Sequence, residues 1–313
     1  MKNRYGFYTL TFLVIANMIG AGVFTTSGFA LADLGSPRIV ILAWIVGGVV
    51  AIAGAASYGM LSRVMPESGG EYLFLSRAAH PLLGYIAGWV SLLAGFSGAI
   101  AFAATAMEDY LTPAKFRIDW LPAGSVAIAT ILLSALLHGV RPHVGAITQN
   151  TAVVLKLLLL TTIFSVAAWQ MSGPSAVSNE FAQPVGSEAA GLPHPASTST
   201  FALILAFAGS LVWISLSYSG FNAAVYVASE VKNAGQVIPR ALIIGTSVVA
   251  VIYVLLNSIF VLGAPANQIA GQPDVAAIAA RVIGGGWFED FVRWTIVLCL
   301  LTSVFSMMMA APR

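Results

Sequence analysis

Charge is what this sequence has least of. Only 8% of its 313 residues are charged, against about 25% in a typical soluble domain, while 58% are hydrophobic. A water-soluble fold has no surface for so many apolar side chains, but a lipid bilayer supplies one. Cysteine occurs once, as Cys299 within an apolar stretch, so an internal disulfide is excluded and small core packing is its ordinary role. The net charge of +2 draws no acidic partner, and the basic tracts of a nucleic-acid binder are absent. Walker, Rossmann and nucleophile-elbow motifs are missing too. His80, His138, His143 and His194 lie at spacings that fit no metal site. With no converging acid, base, nucleophile or metal set, there is no basis for an enzyme or a cofactor. Lys2 and Arg4 resemble the start of a signal peptide, but the apolar run after them is too long and no small-residue cleavage site ends it. It reads as a first span that is retained.

Long apolar runs are what the sequence does have. A spanning helix needs about 20 mostly apolar residues. Candidates fall at 5–30, 38–62, 79–109, 121–140, 144–170, 201–230, 240–263 and 287–311, eight in all. The third and sixth are long enough to tilt or break. A Gly/Pro/Ser-rich loop at 171–200, a polar turn at 63–78 and a mixed segment at 264–286 separate some of them. No two-residue alternation competes, and in lipid the backbone must satisfy its own hydrogen bonds, so the expected class is all-α integral membrane. Basic residues favour the cytoplasmic side. With the N-terminus inside, Lys2, Arg4, Arg63, Arg77, Arg141, Lys232, Arg240 and Arg313 fall inside. Arg38, Lys115, Arg117, Arg281 and Arg293 then fall outside, which is the smaller set. The expected location is the cell membrane, multi-pass, with a cytoplasmic N-terminus; in a bacterium this is the inner membrane.

Two spans are interrupted. The first contains Asn17-Met18-Ile19-Gly20-Ala21-Gly22, and each glycine weakens a helix by roughly 1 kcal/mol relative to alanine. The sixth contains Ser217-Tyr218-Ser219-Gly220-Phe221-Asn222 in mid-run. Two broken helices at matching positions point to a binding site between inverted repeats. An unwound turn offers free N–H groups to a carboxylate and free carbonyls to an ammonium, which suits a zwitterion. Close packing of small-residue faces gives the same pattern at either span alone. Lys156 is the second clue. At mid-span it costs roughly 2.5–3.5 kcal/mol on insertion scales, so it should face protein rather than lipid. It can then serve as a proton carrier or as a fixed cation; a lysine that snorkels to the interface is the alternative. Glu67 and Glu71 read as a solvated loop face rather than an acid/base pair.

These residues resemble a known family. Gly20-Ala21-Gly22-Val23-Phe24 is similar to the first-span motif of amino acid–polyamine–organocation permeases. Ser57-Tyr58-Gly59-Met60-Leu61 followed by Pro66-Glu67-Ser68-Gly69-Gly70-Glu71-Tyr72 resembles their second-span end and first inner loop. Tyr218 to Asn222, Glu230-Val231-Lys232-Asn233 and Ile238-Pro239-Arg240 resemble the sixth span and the loop after it. Bacterial permeases and the L-type exchangers of neutral amino acids share the pattern.

The resemblance implies a LeuT-type inverted-repeat fold with helices 1 and 6 interrupted, and eight helices of the family's ten to twelve. Residues 1–170 would form the first repeat, 171–200 an extracytoplasmic loop, and 201–313 a partial second repeat. It further implies substrate contacts from Met18, Ile19, Gly20, Ala21, Gly22, Leu216, Ser217, Tyr218, Ser219, Gly220 and Asn222. The backbone near Ala21 and Gly22 would take the carboxylate, and carbonyls near Met18, Leu216 and Ser219 the ammonium. Lys156 would fill the sodium position of sodium-dependent members and act in coupling. Asn222 would meet either substrate or another helix. Leu216 departs from the aromatic residue many members place over the substrate. The function so implied is secondary transport of neutral L-amino acids, without sodium, by proton coupling or exchange. The alternative is a membrane sensor or fragment that binds without translocating. No metal and no nucleic acid is expected, and the partners are an amino acid, protons and the bilayer.

Overall fold

The structure is a computed structural model that describes residues 5–111, 122–140, 142–172 and 200–311. Among the described residues all regular elements are helical, and the one extended feature is an isolated bridge between Tyr5 and Val231.

Helix α1 (Phe7–Met18) ends where the sequence turns to glycine. Ile19 leaves the helix, and the Gly20 N–H folds back onto the Met18 carbonyl at 2.9 Å. Helix α2 (Gly22–Leu34) resumes after a bend of 41° and stops at Gly35, whose left-handed backbone ends it. Helix α3 (Pro37–Val64) begins with proline in its first turn, where no N–H is needed. A short helix α4 (Gly70–Ala78) follows, inside the segment expected to be a polar turn.

Helices α5 (Pro81–Val90) and α6 (Ala99–Leu111) are joined by a π-helical stretch, Ser91–Gly98, into one long span. Helices α7 (Ser125–Val140) and α8 (Pro142–Met171) come next. Helix α9 (Thr200–Ser217) breaks at a turn over 218–222 and continues as a 3₁₀ segment, Ala223–Glu230. Helices α10 (Ala234–Leu262), α11 (Ala266–Ile269) and α12 (Val275–Ala310) complete the chain. Helix α12 starts earlier than its apolar run, across a non-helical Gly285 at φ 77°.

Among the described residues six helices are long and apolar enough to cross a membrane, or seven when the bent α1–α2 pair is one span. Helix α7, at 16 residues, is shorter than the rest of the expected set. The protein is thus an all-helical, multi-pass membrane protein. Residues 173–199 of the expected loop lie outside the described residues, as do His194 and the basic residues Lys2, Arg4, Lys115, Arg117, Arg141 and Arg313.

The broken α1–α2 pair runs through the middle. Helix α1 packs on α8, α10 and α12, while α2 packs on α9 and α10. Leu10, Leu13, Val14 and Ala16 are fully enclosed as a result. Lipid gives little hydrophobic drive between helices, so close packing and interhelical hydrogen bonds must hold them. A buried chain of such bonds ties three of them: Trp44 of α3 donates to Ser27 Oγ of α2 at 2.8 Å, and Ser27 donates to Asn257 Oδ1 of α10 at 2.5 Å. Residues such as Leu132, Leu133 and Leu136 on α7 stay exposed, as lipid-facing positions should.

Candidate functional site

The two breaks touch. A side-chain carbon on Gly22 would lie 2.9 Å from Ser217 Cβ, and one on Gly220 would lie 2.7 Å from the Asn17 amide nitrogen. Gly220 also sits at φ 99°, a backbone region that L side chains rarely adopt. Glycine at both positions therefore lets the chains cross. Asn17 spans the crossing, donating to the Gly220 carbonyl at 3.4 Å and accepting from Ser306 of α12 at 3.2 Å. Thr26 and Ser217 share a hydroxyl hydrogen bond of 2.9 Å.

A break frees carbonyls that a continuous helix would use. Three neighbouring helices supply the donors. The Ser303 hydroxyl of α12 lies 2.8 Å from the Ile19 carbonyl and 3.1 Å from that of Ala16. Lys156 of α8 is fully buried, and its Nζ donates to the Ile19 carbonyl at 3.3 Å. The Tyr253 hydroxyl of α10 lies 2.5 Å from the Met18 carbonyl and 3.1 Å from that of Ser217, bracing both breaks with one group. Replacing Tyr253 with phenylalanine should cost about 1–3 kcal/mol of stability, since two buried carbonyls lose their shared donor; a lower unfolding temperature in detergent is the check.

Beside the breaks lies a cavity of about 790 Å³, within the usual range for small-molecule sites. Of the residues the sequence singles out, Met18, Gly20, Ala21, Gly22, Leu216, Ser217, Ser219 and Gly220 line it. Asn17, Thr25, Thr26 and Ser303 add polar groups. Ala21 and Gly22 stand at the start of α2, where helix geometry leaves N–H groups without an i−4 partner. The Met18 carbonyl already accepts from Gly20 and Tyr253, and that of Leu216 accepts from the Ser219 N–H at 3.1 Å.

Four of the singled-out residues do not line the cavity. Ile19 is fully buried and acts through its carbonyl. Tyr218 is buried, with its hydroxyl donating to the Trp44 carbonyl at 2.9 Å. Lys156 reaches the site only through Ile19. Asn222 turns away and donates to Glu71 Oε1 at 2.5 Å.

Glu71 corrects the reading of a solvated loop face. Glu67 does fit that reading: it is half exposed and bidentate with Arg77, whose hydrogen bonds hold its carboxyl below the usual range. Glu71, four residues on, starts α4 instead and accepts from Tyr58, Asn222 and Tyr226. Among the described residues no three His, Cys, Asp or Glu side chains gather as a metal site. Cys299 is buried and free.

Two crossing broken helices beside a mainly apolar cavity with a few polar groups, in an all-helical membrane protein, suit a membrane permease. The family comparison makes this specific: residues 5–313 match the amino acid permease family model, and the chain belongs to that family. It is 25% identical over 287 residues to the b(0,+)-type amino acid transporter 1 of Mus musculus, covering 90% of this chain and 56% of the relative. Against the serine/threonine exchanger SteT of Bacillus subtilis it is 23% identical over 311 residues, covering 98% and 66%. Against the large neutral amino acids transporter small subunit 2 of Rattus norvegicus it is 24% identical over 316 residues, covering 97% and 55%. The chain spans about half to two thirds of the length of these relatives. They are transporters and exchangers, not enzymes.

Proposed function

We propose that this chain carries the substrate site of a secondary transporter for neutral L-amino acids, working without sodium by proton coupling or exchange. The observation that carries this reading is the crossing of the two breaks, Gly22 on Ser217 and Gly220 on Asn17, at the wall of the cavity. Free N–H groups at the start of α2 would take the carboxylate, helped by the positive end of the helix dipole. Carbonyls near Met18, Leu216 and Ser219 would take the ammonium. The lining supports a neutral substrate: among the described residues Asp33 is its one ionisable group, and it lies eleven residues along α2 from Gly22, about 16 Å at helical rise. A basic side chain at the breaks would find no counter-charge among the described lining residues.

Lys156, beside the Ile19 carbonyl, holds a fixed or exchangeable positive charge where a sodium-dependent relative would bind its ion. The overall arrangement is a LeuT-type one, with 1–170 as the first repeat, 171–200 as an outer loop, 201–313 as part of the second, and the N-terminus in the cytoplasm. A thermal-shift screen of the purified chain against the twenty amino acids tests the reading. Stabilisation by a few neutral amino acids is expected; no shift with any of them, from a monodisperse sample, would overturn it.

A further inference from the structure

The cavity's lining lies toward one end of the molecule. Its lining runs along α2 from Gly22 to Asp33 and along the last turns of α9 from Trp213. From α1 it takes only Asn17 and Met18, and past the second break it takes nothing beyond Gly220. At the opposite end, where Tyr5 and α4 lie, a set of contacts grips residues 221–230, which include the 3₁₀ stretch Ala223–Glu230.

Glu71 is at the centre of that grip. Its Oε1 accepts from the Tyr58 hydroxyl of α3 at 2.7 Å and from the Asn222 amide at 2.5 Å. Its Oε2 accepts from the Tyr226 hydroxyl at 2.5 Å, and Asn222 also donates to Tyr226 at 3.2 Å. Around this cluster, Phe221 packs edge-on to Tyr58 and Tyr226 packs edge-on to Phe96. Ser68 and Ser229 exchange backbone-to-hydroxyl bonds of 2.9 and 3.0 Å, and the Tyr5 N–H donates to the Glu230 carbonyl at 3.3 Å. Eight residues is long for a 3₁₀ run, whose hydrogen bonds are poorer than an α-helix's, so this segment depends on outside contacts for its place. A half-buried carboxylate with three donors is a strong contact, yet one whose loss frees every donor at once.

We propose that Glu71 is the latch that keeps the Tyr5 end of the cavity closed, and that release of its three donors lets the 223–230 segment move and open the site on that side. This rests on the transport reading, in which the two ends must open in turn. Glu71 is a positioning residue here: it touches no cavity-lining atom and acts through Asn222 and Tyr226.

Hydrogen–deuterium exchange on the purified full chain tests it. In Glu71→Gln one carboxylate oxygen becomes an amide that cannot accept, so the amides of 223–230 should exchange about tenfold faster or more, while those of α2 and α10 keep their protection. Adding Asn222→Asp to Glu71→Gln reverses donor and acceptor, and should restore much of the protection. Tyr226→Phe removes one donor only and should give a smaller rise; it carries the test where Glu71→Gln does not fold. Unchanged exchange over 223–230 in these variants would overturn the latch. So would a rise spread evenly over all helices that the paired substitution does not relieve, since that marks a merely structural group. Thermal shift by neutral amino acids on the wild-type chain is read in parallel. Its absence counts against the transport reading, whereas the exchange data alone decide whether Glu71 holds the segment.

Discussion

Gly220→Ala should sharply weaken amino-acid binding by this protein. Gly220 holds φ 99°, which costs an L residue about 1–2 kcal/mol. Its new methyl would also lie 2.7 Å from the Asn17 amide and 3.0 Å from the Asn17 backbone, and overpacking of this kind costs about 1–3 kcal/mol. The Asn17 amide could swing aside, at the loss of its bond to Gly220, but the tight approach to the Asn17 backbone and the positive φ would remain. The chain must separate the two breaks, and the N–H groups and carbonyls that would face the substrate separate with them. Affinity should fall by at least about tenfold, each factor of ten being about 1.4 kcal/mol. Binding of a neutral amino acid, measured by thermal shift or calorimetry, is the check. A variant that binds as tightly as wild type would show that the crossing of the breaks is not the site.

The second large effect is expected at Lys156. Lys156→Ala removes a fully buried side chain and leaves a void, costing about 2–5 kcal/mol from packing alone. Lys156→Met keeps most of the volume and removes the charge, so it separates the two contributions. The Ile19 carbonyl would keep Ser303 but lose a charge-assisted hydrogen bond, worth about 1.5–3 kcal/mol. Ile19 adjoins Gly20 and Ala21, both of which line the cavity, so that loss is felt at the binding wall. The methionine variant should fold, lose about tenfold or more in uptake, and change its dependence on pH or on exchange partner. Wild-type uptake by Lys156→Met would remove the lysine from any part in coupling.

What the sequence made legible was the set of features that violate the chemistry of a lipid-embedded helix. Glycines in the middle of apolar runs marked both breaks, and a lysine among leucines marked Lys156. The structure brings these three together through the Ile19 carbonyl and the Gly22–Ser217 crossing. Tyr253 and Ser303 escaped notice because hydroxyl groups within a span are ordinary, and a helix that is apolar all round shows no periodicity to say which side faces inward. Glu71 escaped for the opposite reason. It lies in a polar stretch where charge is normal, and only the folding of α4 under the 3₁₀ segment turns it inward. The early start of α12 follows from three consecutive glycines, Gly284 to Gly286, which allow a break without ending the helix.

The most direct measurement is uptake of a radiolabelled neutral amino acid, such as serine or leucine, into proteoliposomes holding the purified chain. Sodium, a pH gradient and internal unlabelled amino acid are each supplied in turn. The account predicts accumulation that does not need sodium, that rises with either the proton gradient or the internal amino acid, and that is lost in Gly220→Ala. Binding to the chain with no accumulation under any of these conditions would contradict it, and would make this protein a membrane receptor for amino acids rather than a transporter.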